Sequence, residues 1–378
     1  MKVSIVGFNF SAIGGLEIVS KAIANAVVAQ GHSVDVFALH ETGNVDYDGF
    51  TTTGLASRGA LPQRLVQWFR FARQSSRIVE RISTSDIVIA AHAHTLRYFL
   101  PQLLQQRTRP KVVCWLHGRE VWGEFGRQAA PLLKQSDELI AVSNFTANSV
   151  HKLLDGQRLP RVIHNPVETD IFIPLVDRSE IRRHHILIVG RHDIDSWHKG
   201  YDTLIEAMGI LARNRPDLPL HLTIAGSGDL LNQHRRHIAR LALQDKVSLA
   251  GRVSRAELVR LYQTCDLFAF PSRYESRGGE NFGEGFGVVN AEAAACGRPV
   301  ITSSHGGCPE TVNDSVTGFV IDPTSPEKLA SKIALLFDLS ADDRDAMGQR
   351  GREMAVQQFS PQCFRRQVAE LISRESLV

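Results

Sequence analysis

Residues 2–38 read KVSIVGFNFSAIGGLEIVSKAIANAVVAQGHSVDVFA. This segment begins with a short apolar strand, which a turn at Gly14 and Gly15 follows. A helical pattern then runs from Glu17 to Gln30 and stops at Gly31, a residue typical of helix C-termini. The next strand pattern is Ser33–Ala38. A strand, a helix and a second strand in this succession predict a right-handed βαβ unit and a parallel sheet.

The alternation of strands and helices continues along the chain. Further strand patterns lie at Ile87–Ala90, Val112–Trp115, Leu139–Val142, Ile186–Gly190, Leu222–Gly226, Val247–Gly251, Leu267–Phe270, Pro299–Thr302 and Gly318–Ile321. The pattern breaks between His164 and Ile186, a stretch that contains Pro166, Pro174 and a charged run. The sequence therefore predicts two doubly wound α/β domains. We expect the carboxyl ends of their strands, where ligands bind, to face a shared cleft.

Length and composition are those of a globular protein with two domains. The chain has 378 residues, a hydrophobic content of 43% and a net charge of +3, and no apolar run is long enough to span a membrane. It opens directly into a strand pattern, so no signal peptide is expected. The five cysteines lack the C-x-x-C spacing of zinc sites and disulfide frameworks. These features predict a cytoplasmic protein with reduced thiols, and no nucleic-acid partner is expected.

Two glutamates bracket a change from loop to helix. In Glu284-Gly-Phe-Gly-Val-Val-Asn-Ala-Glu292, a glycine-bearing loop leads into an alanine-rich helical run. Glu284 therefore falls just before a helix N-terminus, and Glu292 falls one or two turns inside the helix. The backbone N–H groups between them favour a phosphate, and the two carboxylates can hold hydroxyl groups on either side of it. A sugar nucleotide has this makeup of sugar, diphosphate and ribose.

Short motifs occur in a fixed order over nearly the whole chain. They are Gly14-Gly15, Leu116-His117-Gly118, Val142–Thr146, His164–Val167, Gly190-Arg191, Lys199-Gly200, Ala225–Gly228, Cys265–Leu267 with Pro271-Ser272, the Glu284/Glu292 pair and Gly306–Glu310. With these motifs the chain resembles retaining glycosyltransferases of the GT-B type, in the large family 4 that includes mannosyl- and glucosyltransferases of bacterial glycoconjugates. The resemblance implies two Rossmann-like domains, an acceptor-binding domain at 1–170 and a nucleotide-sugar-binding domain at 171–360. It also implies a C-terminal helix at 361–378 that returns to the first domain.

The resemblance implies the roles of individual residues. Glu284 would meet the donor sugar and Glu292 the ribose, while His117 would lie beside the sugar near the reacting centre. Arg191 and Lys199 would neutralise the donor diphosphate, whose negative charge grows as it departs. The remaining residues expected to bind the donor are Gly14, Gly15, Gly226, Gly228, Val253, Gly285, Phe286 and Gly287.

A bound metal is not expected, and no other cofactor is needed. Asp193-Ile194-Asp195 imitates the D-x-D metal motif of the other major glycosyltransferase architecture, but we interpret it as incidental. Arg191, Lys199 and a helix N-terminus already offer positive charge to the diphosphate. His92 and His94 form a tempting metal pair, yet no third ligand is spaced to join them, so a structural role is favoured.

One departure from the family lies between Pro271-Ser272 and Glu284. Residues 273–283 (RYESRGGENFG) intervene where the first glutamate usually follows almost at once. Glu275 and Glu280 in this insertion have no glutamate eight positions on, so they do not belong to the pair. Relatives that resemble phosphatidylinositol mannosyltransferases have a similar Arg-Gly-Gly loop. This favours GDP-mannose as the donor, with a UDP-sugar second.

A run of arginines gives a further hypothesis. Residues 49–79 contain no acidic residue but include Arg58, Arg64, Arg70, Arg73 and Arg77. On a helical wheel from Leu61 to Ile82 one face carries Leu61, Leu65, Trp68, Phe69, Ala72 and Val79, and the opposite face carries Arg70, Arg77 and Arg81. This pattern predicts an ordinary amphipathic helix packed on its sheet. The alternative is that residues 58–82 bind an anionic membrane surface.

The sequence thus predicts a cytoplasmic, metal-independent, retaining glycosyltransferase, with a peripheral position on the inner face of the membrane as an option. It would transfer a hexose, with mannose favoured, from a nucleotide sugar to a saccharide or lipid-linked acceptor. This transfer would serve glycoconjugate, polysaccharide or lipopolysaccharide biosynthesis. The alternatives are a UDP-sugar-dependent glucosyl- or N-acetylglucosaminyltransferase, a sugar-nucleotide epimerase or phosphorylase of the same architecture, and a non-catalytic binder.

Overall fold

The computed structural model describes residues 1–11, 14–55, 75–176 and 184–375. The chain divides into two compact units. Unit 1 comprises Met1–Pro166 and Gln362–Val378, and unit 2 comprises Val167–Pro361. Most of the charged run that was expected between the domains, residues 177–183, lies outside the described residues. So do Arg58, Arg64, Arg70 and Arg73 of the arginine run.

Unit 1 alternates strands and helices. Its strands are β1 (Lys2–Gly7), β2 (Ser33–Ala38), β3 (Thr42–Tyr47), β4 (Phe50–Leu55), β5 (Ile87–Ala90), β6 (Lys111–Leu116), β7 (Glu138–Ala141) and β8 (Arg161–Val162). Its helices are α1 (Gly15–Val28), α2 (Leu100–Leu103), α3 (Gly123–Gln135) and α4 (Asn144–Leu153), with 3₁₀ helices at Ala93–Tyr98 and Arg119–Val121. Residues 75–82 are also helical, and Arg77 and Arg81 are exposed there while Val79 is buried.

Among its described residues, unit 1 has an eight-stranded sheet in the order β3-β4-β2-β1-β5-β6-β7-β8. All neighbours are parallel except β3 and β4, which form an antiparallel hairpin. β1, β5 and β6 form the centre, and their side chains are almost all buried because helices cover both faces of such a sheet. The parallel sheet predicted from the alternation of strands and helices is therefore confirmed.

Unit 2 repeats the design. Its strands are β9 (His185–Val189), β10 (His221–Ala225), β11 (Val247–Gly251), β12 (Leu267–Phe270), β13 (Glu275–Arg277), β14 (Glu280–Phe282), β15 (Val300–Ser303) and β16 (Gly318–Ile321). Its helices are α5 (Tyr201–Asn214), α6 (Leu231–Arg240), α7 (Arg255–Thr264), α8 (Val288–Ala295), α9 (Pro326–Asp338) and α10 (Ala341–Phe359), with 3₁₀ helices at Ile194–Lys199 and Cys308–Thr311.

Six of these strands form a fully parallel sheet in the order β11-β10-β9-β12-β15-β16. The strand order reverses between β9 and β12, because the chain adds β10 and β11 on one side and β15 and β16 on the other. In such sheets a crevice opens outside the carboxyl ends of the two strands at the reversal. The segments that follow β9 and β12 are therefore where a ligand is expected.

The insertion at 273–283 forms a small antiparallel hairpin. β13 pairs with β14, with Glu275 opposite Phe282 and Arg277 opposite Glu280. Gly278 and Gly279 connect them with φ angles of 62° and 84°, a left-handed conformation that glycine adopts without strain. This hairpin lies between β12 and Glu284.

The last helix, α11 (Pro361–Glu375), returns the chain to unit 1. The ring of Phe364 packs 5.9 Å from that of Trp115 on β6, and Arg161 Nη2 lies 3.0 Å from Glu370 Oε2. Phe364, Val368 and Leu371 are buried. Within the described ranges, no helix is both long and apolar enough to cross a membrane.

Candidate active site

A buried ion pair lies at the strand reversal of unit 2. Lys199 ends the 3₁₀ helix that follows β9, and Glu284 lies in the loop that follows β12 and the hairpin. Lys199 Nζ donates a hydrogen bond of 2.5 Å to Glu284 Oε1. The two side chains are only 14% and 21% exposed. The structure thus brings together two of the predicted site residues that are 85 positions apart in the sequence.

Further contacts fix the position of Glu284. Its carbonyl accepts a 2.9 Å hydrogen bond from Gly307 N–H, and His198 Nε2 lies 3.6 Å from its Oε1. Burial alone would raise the pKa of Glu284. The Lys199 ammonium and the His198 ring outweigh burial and lower that pKa to about 2. Glu284 is therefore an anion at any physiological pH.

Glu292 lies on α8 in a different environment. Tyr262 of α7, which is fully buried, donates a 2.9 Å hydrogen bond from its hydroxyl to Glu292 Oε2. Burial raises the pKa of Glu292 to about 7, although the Tyr262 hydrogen bond and the Arg255 charge oppose this rise. The two glutamates of the pair thus differ in charge behaviour. Glu284 is held ionised by a cation, while Glu292 titrates near neutrality.

The helix N-terminus between the two glutamates has no side-chain cap among the described residues. α8 begins at Val288 after the N-cap residue Gly287, which has no side chain to cap the first turn. The adjoining Phe286 is 2% exposed and packs edge-on against Phe359 with a ring distance of 5.2 Å. The Phe286 side chain therefore belongs to the core, so the backbone of 285–287 is the part that can meet a ligand.

Gly226 and Gly228 follow β10 and pack closely against the segment that follows β9. A Cβ atom at Gly226 would lie 1.8 Å from the carbonyl oxygen of Gly190, and one at Gly228 would lie 2.3 Å from the His192 carbonyl carbon. Both residues have positive φ angles, 136° and 149°. Glycine at these positions lets the two loops at the sheet edge come into contact. Val253, which follows β11, is half-buried.

Arg191 does not join the Lys199–Glu284 pair. Its side chain is 79% exposed, and its Nη1 atom lies 3.2 Å from Asp193 Oδ2. Asp193 is the first aspartate of the D-x-D-like sequence, so in this structure it pairs with an arginine. Among the described residues, no three His, Cys, Asp or Glu side chains form a cluster that could hold a metal ion.

His117 follows β6 in unit 1, and its neighbours fix its ring. Its Nε2 atom lies 2.8 Å from the carbonyl oxygen of Ala91. A carbonyl only accepts hydrogen bonds, so Nε2 carries the proton and Nδ1 of the neutral ring has the lone pair. The His117 backbone N–H donates a 2.5 Å hydrogen bond to Glu120 Oε1. Glu120 is 6% exposed.

Glu120 interacts electrostatically with the rings of His92 and His117. Burial alone would raise the pKa of Glu120, but these two rings and hydrogen bonds from the backbone lower it. His92 accepts the backbone N–H of His94 through Nδ1 at 3.1 Å and stacks on the ring of His117 at 6.2 Å. Burial lowers the pKa of His92 to about 4. Its position as an N-terminal cap is a structural role, as the sequence favoured.

The glycine turn of unit 1 leads into α1. Gly14 is the N-cap of α1 and Gly15 is its first residue, two positions before the helical pattern was predicted to begin. A Cβ atom at Gly15 would meet no described atom within 4 Å. Packing within the described part of the protein therefore does not require glycine at this position. The preceding residues 12 and 13 lie outside the described part of the chain.

Three residues of these sites were missed in the sequence. Tyr262 and His198 touch the glutamates only through the tertiary fold, and no local pattern marks them. Glu120 did have a signal, because an acidic residue three positions after His117 has the spacing of a capping interaction.

Comparison with known proteins decides the family. The profile described as Glycosyl transferases group 1 matches residues 181–354, and the profile described as Glycosyltransferase Family 4 matches residues 13–171. A GDP-mannose-dependent monoacylated alpha-(1-6)-phosphatidylinositol monomannoside mannosyltransferase from Corynebacterium glutamicum is 30% identical over 288 residues, 72% of each chain. The chain belongs to glycosyltransferase family 4.

Other proteins extend the similarity of this glycosyltransferase over its full length. The GDP-mannose-dependent alpha-(1-6)-phosphatidylinositol monomannoside mannosyltransferase of Mycolicibacterium smegmatis is 28% identical over 377 residues, 95% of each chain. Among solved structures, sucrose-phosphate synthase from Thermosynechococcus elongatus has a TM-score of 0.80 at 20% identity, covering 99% of this chain and 98% of that one. HepE from Anabaena, solved with UDP and glucose, has a TM-score of 0.78 at 19% identity, covering 99% and 100%. The GT-B fold and the family expected from the motifs are confirmed.

Proposed function

We propose that this glycosyltransferase transfers a hexose from a nucleotide sugar, and mannose is the first candidate for that hexose. The observation that carries the proposal is the buried Lys199–Glu284 pair at the strand reversal of unit 2. An ammonium group suits the departing diphosphate, and an ionised carboxylate suits the sugar hydroxyls. Glu292, on the helix that begins between them, would hold the ribose. The exposed Arg191 side chain would turn toward the diphosphate when the donor binds.

We propose that the donor diphosphate is held without a metal ion. Lys199 and Arg191 supply positive charge, and the N-terminus of α8 adds N–H groups and the positive end of its dipole. Asp193 of the D-x-D-like sequence already pairs with Arg191. No other cofactor is required by the proposed reaction.

The transfer would retain the configuration of the sugar, with departure and attack on one face. Glu284 is the carboxylate assigned to the sugar, and its close pairing with Lys199 makes it a poor nucleophile. This argues against the covalent intermediate of retaining glycosidases. The leaving diphosphate itself would then take the acceptor proton, and His117 in unit 1 would bind a hydroxyl of the donor sugar.

GDP-mannose is the first donor to test. The two mannosyltransferases named above are GDP-mannose-dependent by name, and the Arg-Gly-Gly sequence of the hairpin led to the same expectation. UDP-sugars form the second candidate, because HepE was solved with UDP and glucose. The acceptor would be a saccharide or a lipid-linked saccharide, since the names of the mannosyltransferases specify a phosphatidylinositol mannoside.

A lipid-linked acceptor would be reached at the inner face of the membrane. Residues 58–82 are the proposed contact with anionic lipid. In their described part, Arg77 and Arg81 are exposed. Co-sedimentation with phosphatidylglycerol vesicles at low ionic strength, weakened by added salt, is the expected result. No binding at low ionic strength contradicts the membrane contact and leaves the donor assignment intact.

A thermal-shift comparison tests the donor. GDP-mannose, UDP-glucose, UDP-N-acetylglucosamine and ADP-glucose are added separately, with EDTA present throughout. A ligand at about 100 times its Kd stabilises the native state by about 2.7 kcal/mol. We expect the largest shift with GDP-mannose, and a larger shift with a UDP-sugar would replace it as the donor. No shift with any of the four contradicts the proposed function. Conversion of the sugar without an acceptor would instead indicate an epimerase.

A further inference from the structure

We propose that the β13–β14 hairpin positions the Lys199–Glu284 pair by clamping Trp197. The proposal rests on the donor-binding function assigned to that pair. Arg273, Arg277 and Phe282 surround Trp197, and these four residues are called the Trp197 clamp below. Arg273 lies two residues before the first hairpin strand, Arg277 and Phe282 belong to the hairpin strands, and Trp197 lies two residues before Lys199.

Cation–π and aromatic contacts join the hairpin to Trp197. The guanidinium carbons of Arg273 and Arg277 lie 5.9 Å and 5.7 Å from the centre of the Trp197 ring. The ring of Phe282 lies 5.7 Å from that of Trp197. Tryptophan is the best aromatic partner for a cation, and arginine is the usual cation in such contacts. Two arginines and a phenylalanine therefore hold the indole from the hairpin side.

Backbone and ion-pair contacts bind the same segment on both sides of Lys199. The Arg273 N–H donates a 2.7 Å hydrogen bond to the carbonyl oxygen of His198. The Arg273 Nη2 atom lies 3.0 Å and 2.9 Å from the two carboxylate oxygens of Asp202, in the first turn of α5. Arg273 thus contacts the chain just before Lys199 and again a few residues after it.

The other end of the hairpin leads to Glu284. Only Gly283 separates Phe282 from Glu284. Tyr274 N–H donates a 3.2 Å hydrogen bond to His305 Nδ1, and the nearby Gly307 N–H binds the Glu284 carbonyl. The hairpin is therefore tied to the segment that carries Lys199 and also to the loop that holds Glu284.

This arrangement matters because a 3₁₀ helix gives Lys199 little support of its own. Hydrogen bonds in 3₁₀ helices have poor geometry, and such helices are short. Groups that act on a transition state must be held to within a fraction of an ångström. The Trp197 clamp supplies that constraint at the sugar end of the donor site. It makes none of the described contacts with Glu292 or Tyr262, at the proposed ribose end.

Hydrogen exchange of the full-length protein without ligand tests the clamp itself. The variants are Trp197→Leu and Arg277→Gln, with Arg277→Lys as the conservative change and Arg236→Gln, at an exposed arginine on α6, as the matched control. We expect faster exchange in peptides covering 194–200 in W197L and R277Q, recovery in R277K, and no change in R236Q. Unchanged exchange of 194–200 in both W197L and R277Q overturns the proposal.

Calorimetry with GDP-mannose and GMP tests the consequence for the donor. GMP offers a base, ribose and one phosphate, but it lacks the mannose and the second phosphate. In R277Q and W197L we expect the affinity for GDP-mannose to fall by about tenfold, as for small misplacements of binding groups, and the affinity for GMP to stay within about twofold. Equal losses for both ligands overturn the proposal.

The two experiments separate the clamp from the donor assignment. If the wild-type protein binds neither GDP-mannose nor UDP-glucose while exchange of 194–200 still rises in W197L, the donor function fails and the clamp stands. Arg277 is exposed, so R277Q keeps the test valid if W197L does not fold.

Discussion

The ammonium of Lys199 lies 2.5 Å from Oε1 of Glu284, and both groups are largely shielded from water. An ion pair in this position has two consequences. Each charge offsets the burial of the other only while both are present, so removal of one leaves an uncompensated charge. In the proposed donor complex, Lys199 would contact the diphosphate and Glu284 the sugar. The ion pair would therefore couple recognition of these two parts of the donor.

Lys199→Met is expected to destabilise the protein. It leaves the Glu284 carboxylate buried and without its cation, which costs about 3–5 kcal/mol in other proteins. The double variant Lys199→Met/Glu284→Gln removes both charges and should recover most of that loss. Lys328→Met is the control, because it breaks the exposed pair with Asp322 and should cost less than about 1 kcal/mol. Urea denaturation measures all three, and equal effects of the two single lysine variants would contradict the buried pairing.

Glu292 is expected to make stability fall as pH rises toward neutrality. Its pKa in the folded protein is about 7, above the ordinary value of 4.5. Below pH 4.5 the group is neutral in both states, and its contribution is fully present. Between that pH and about 7 the unfolded chain ionises first, which lowers the free energy of unfolding by about 1.4 kcal/mol per pH unit at most. Urea denaturation of the wild type and Glu292→Gln across this range measures the effect, and a constant difference would contradict the raised pKa.

Tyr262→Phe is expected to weaken donor binding without unfolding unit 2. The change removes the hydroxyl that donates to Glu292 Oε2, so the pKa of Glu292 rises further and its orientation loosens. Loss of one hydrogen bond to a charged group corresponds to about 1.5–3 kcal/mol. Calorimetry near neutral pH should show a lower affinity for GDP-mannose than in the wild type. This difference in affinity should shrink as pH rises, because Glu292 then ionises in the variant as well. Tyr47→Phe is the control, since the buried Tyr47 hydroxyl has no hydrogen-bond partner among the described residues.

Glu120→Ala is expected to lower the rate of sugar transfer. It removes the acceptor of the His117 backbone N–H and the buried negative charge next to the ring. We expect a loss of about tenfold or more, since small displacements of a positioned group have effects of that order. Glu120→Gln keeps an acceptor and should lie between Glu120→Ala and the wild type. The exposed neighbour Glu124 serves as the control through Glu124→Ala, and equal rates for the two alanine variants would contradict a positioning role.

Gly226→Ala is expected to lower the stability of the protein, whereas Gly15→Ala is expected to leave stability nearly unchanged. A methyl group at Gly226 would lie 1.8 Å from the Gly190 carbonyl oxygen. The loops at the sheet edge must then separate, and the protein is destabilised by about 1–3 kcal/mol. A methyl group at Gly15 meets no described atom within 4 Å, so stability should change little. If Gly15 lies against the donor, Gly15→Ala lowers donor affinity alone. Thermal denaturation together with calorimetry separates the two effects.

The sequence predicted the parallel sheets because short apolar strand patterns, such as Ile87–Ala90 and Leu267–Phe270, alternate with helical patterns along the chain. It missed both antiparallel hairpins. The strands β3 and β13 are polar and largely exposed, so they lack an apolar pattern. Their turns did carry a signal, because Asp48-Gly49 and Gly278-Gly279 are the two-residue sequences that favour hairpins.

For the site, the spacing of Glu284 and Glu292 was enough to predict both glutamates as candidate binding residues from the sequence. Their different environments could not be predicted, because Lys199 and Tyr262 reach them only through the folded sheet. The sequence grouped Arg191 with Lys199, but of these two cations the described contacts bring only Lys199 to Glu284. Sequence spacing therefore identifies candidate residues, while the order of the strands within the folded sheet determines which of these residues come into contact.

The return of α11 to unit 1 affects how the chain is made. Unit 2 is a continuous stretch placed inside the sequence of unit 1, whose last helix is synthesised at the end. On the ribosome, unit 2 is complete before Phe364 and its neighbours emerge to cover Trp115. Domains generally fold as units during synthesis. Unit 1 therefore begins first but is completed last, and a chain that ends near residue 361 would lack the helix that covers Trp115 on β6.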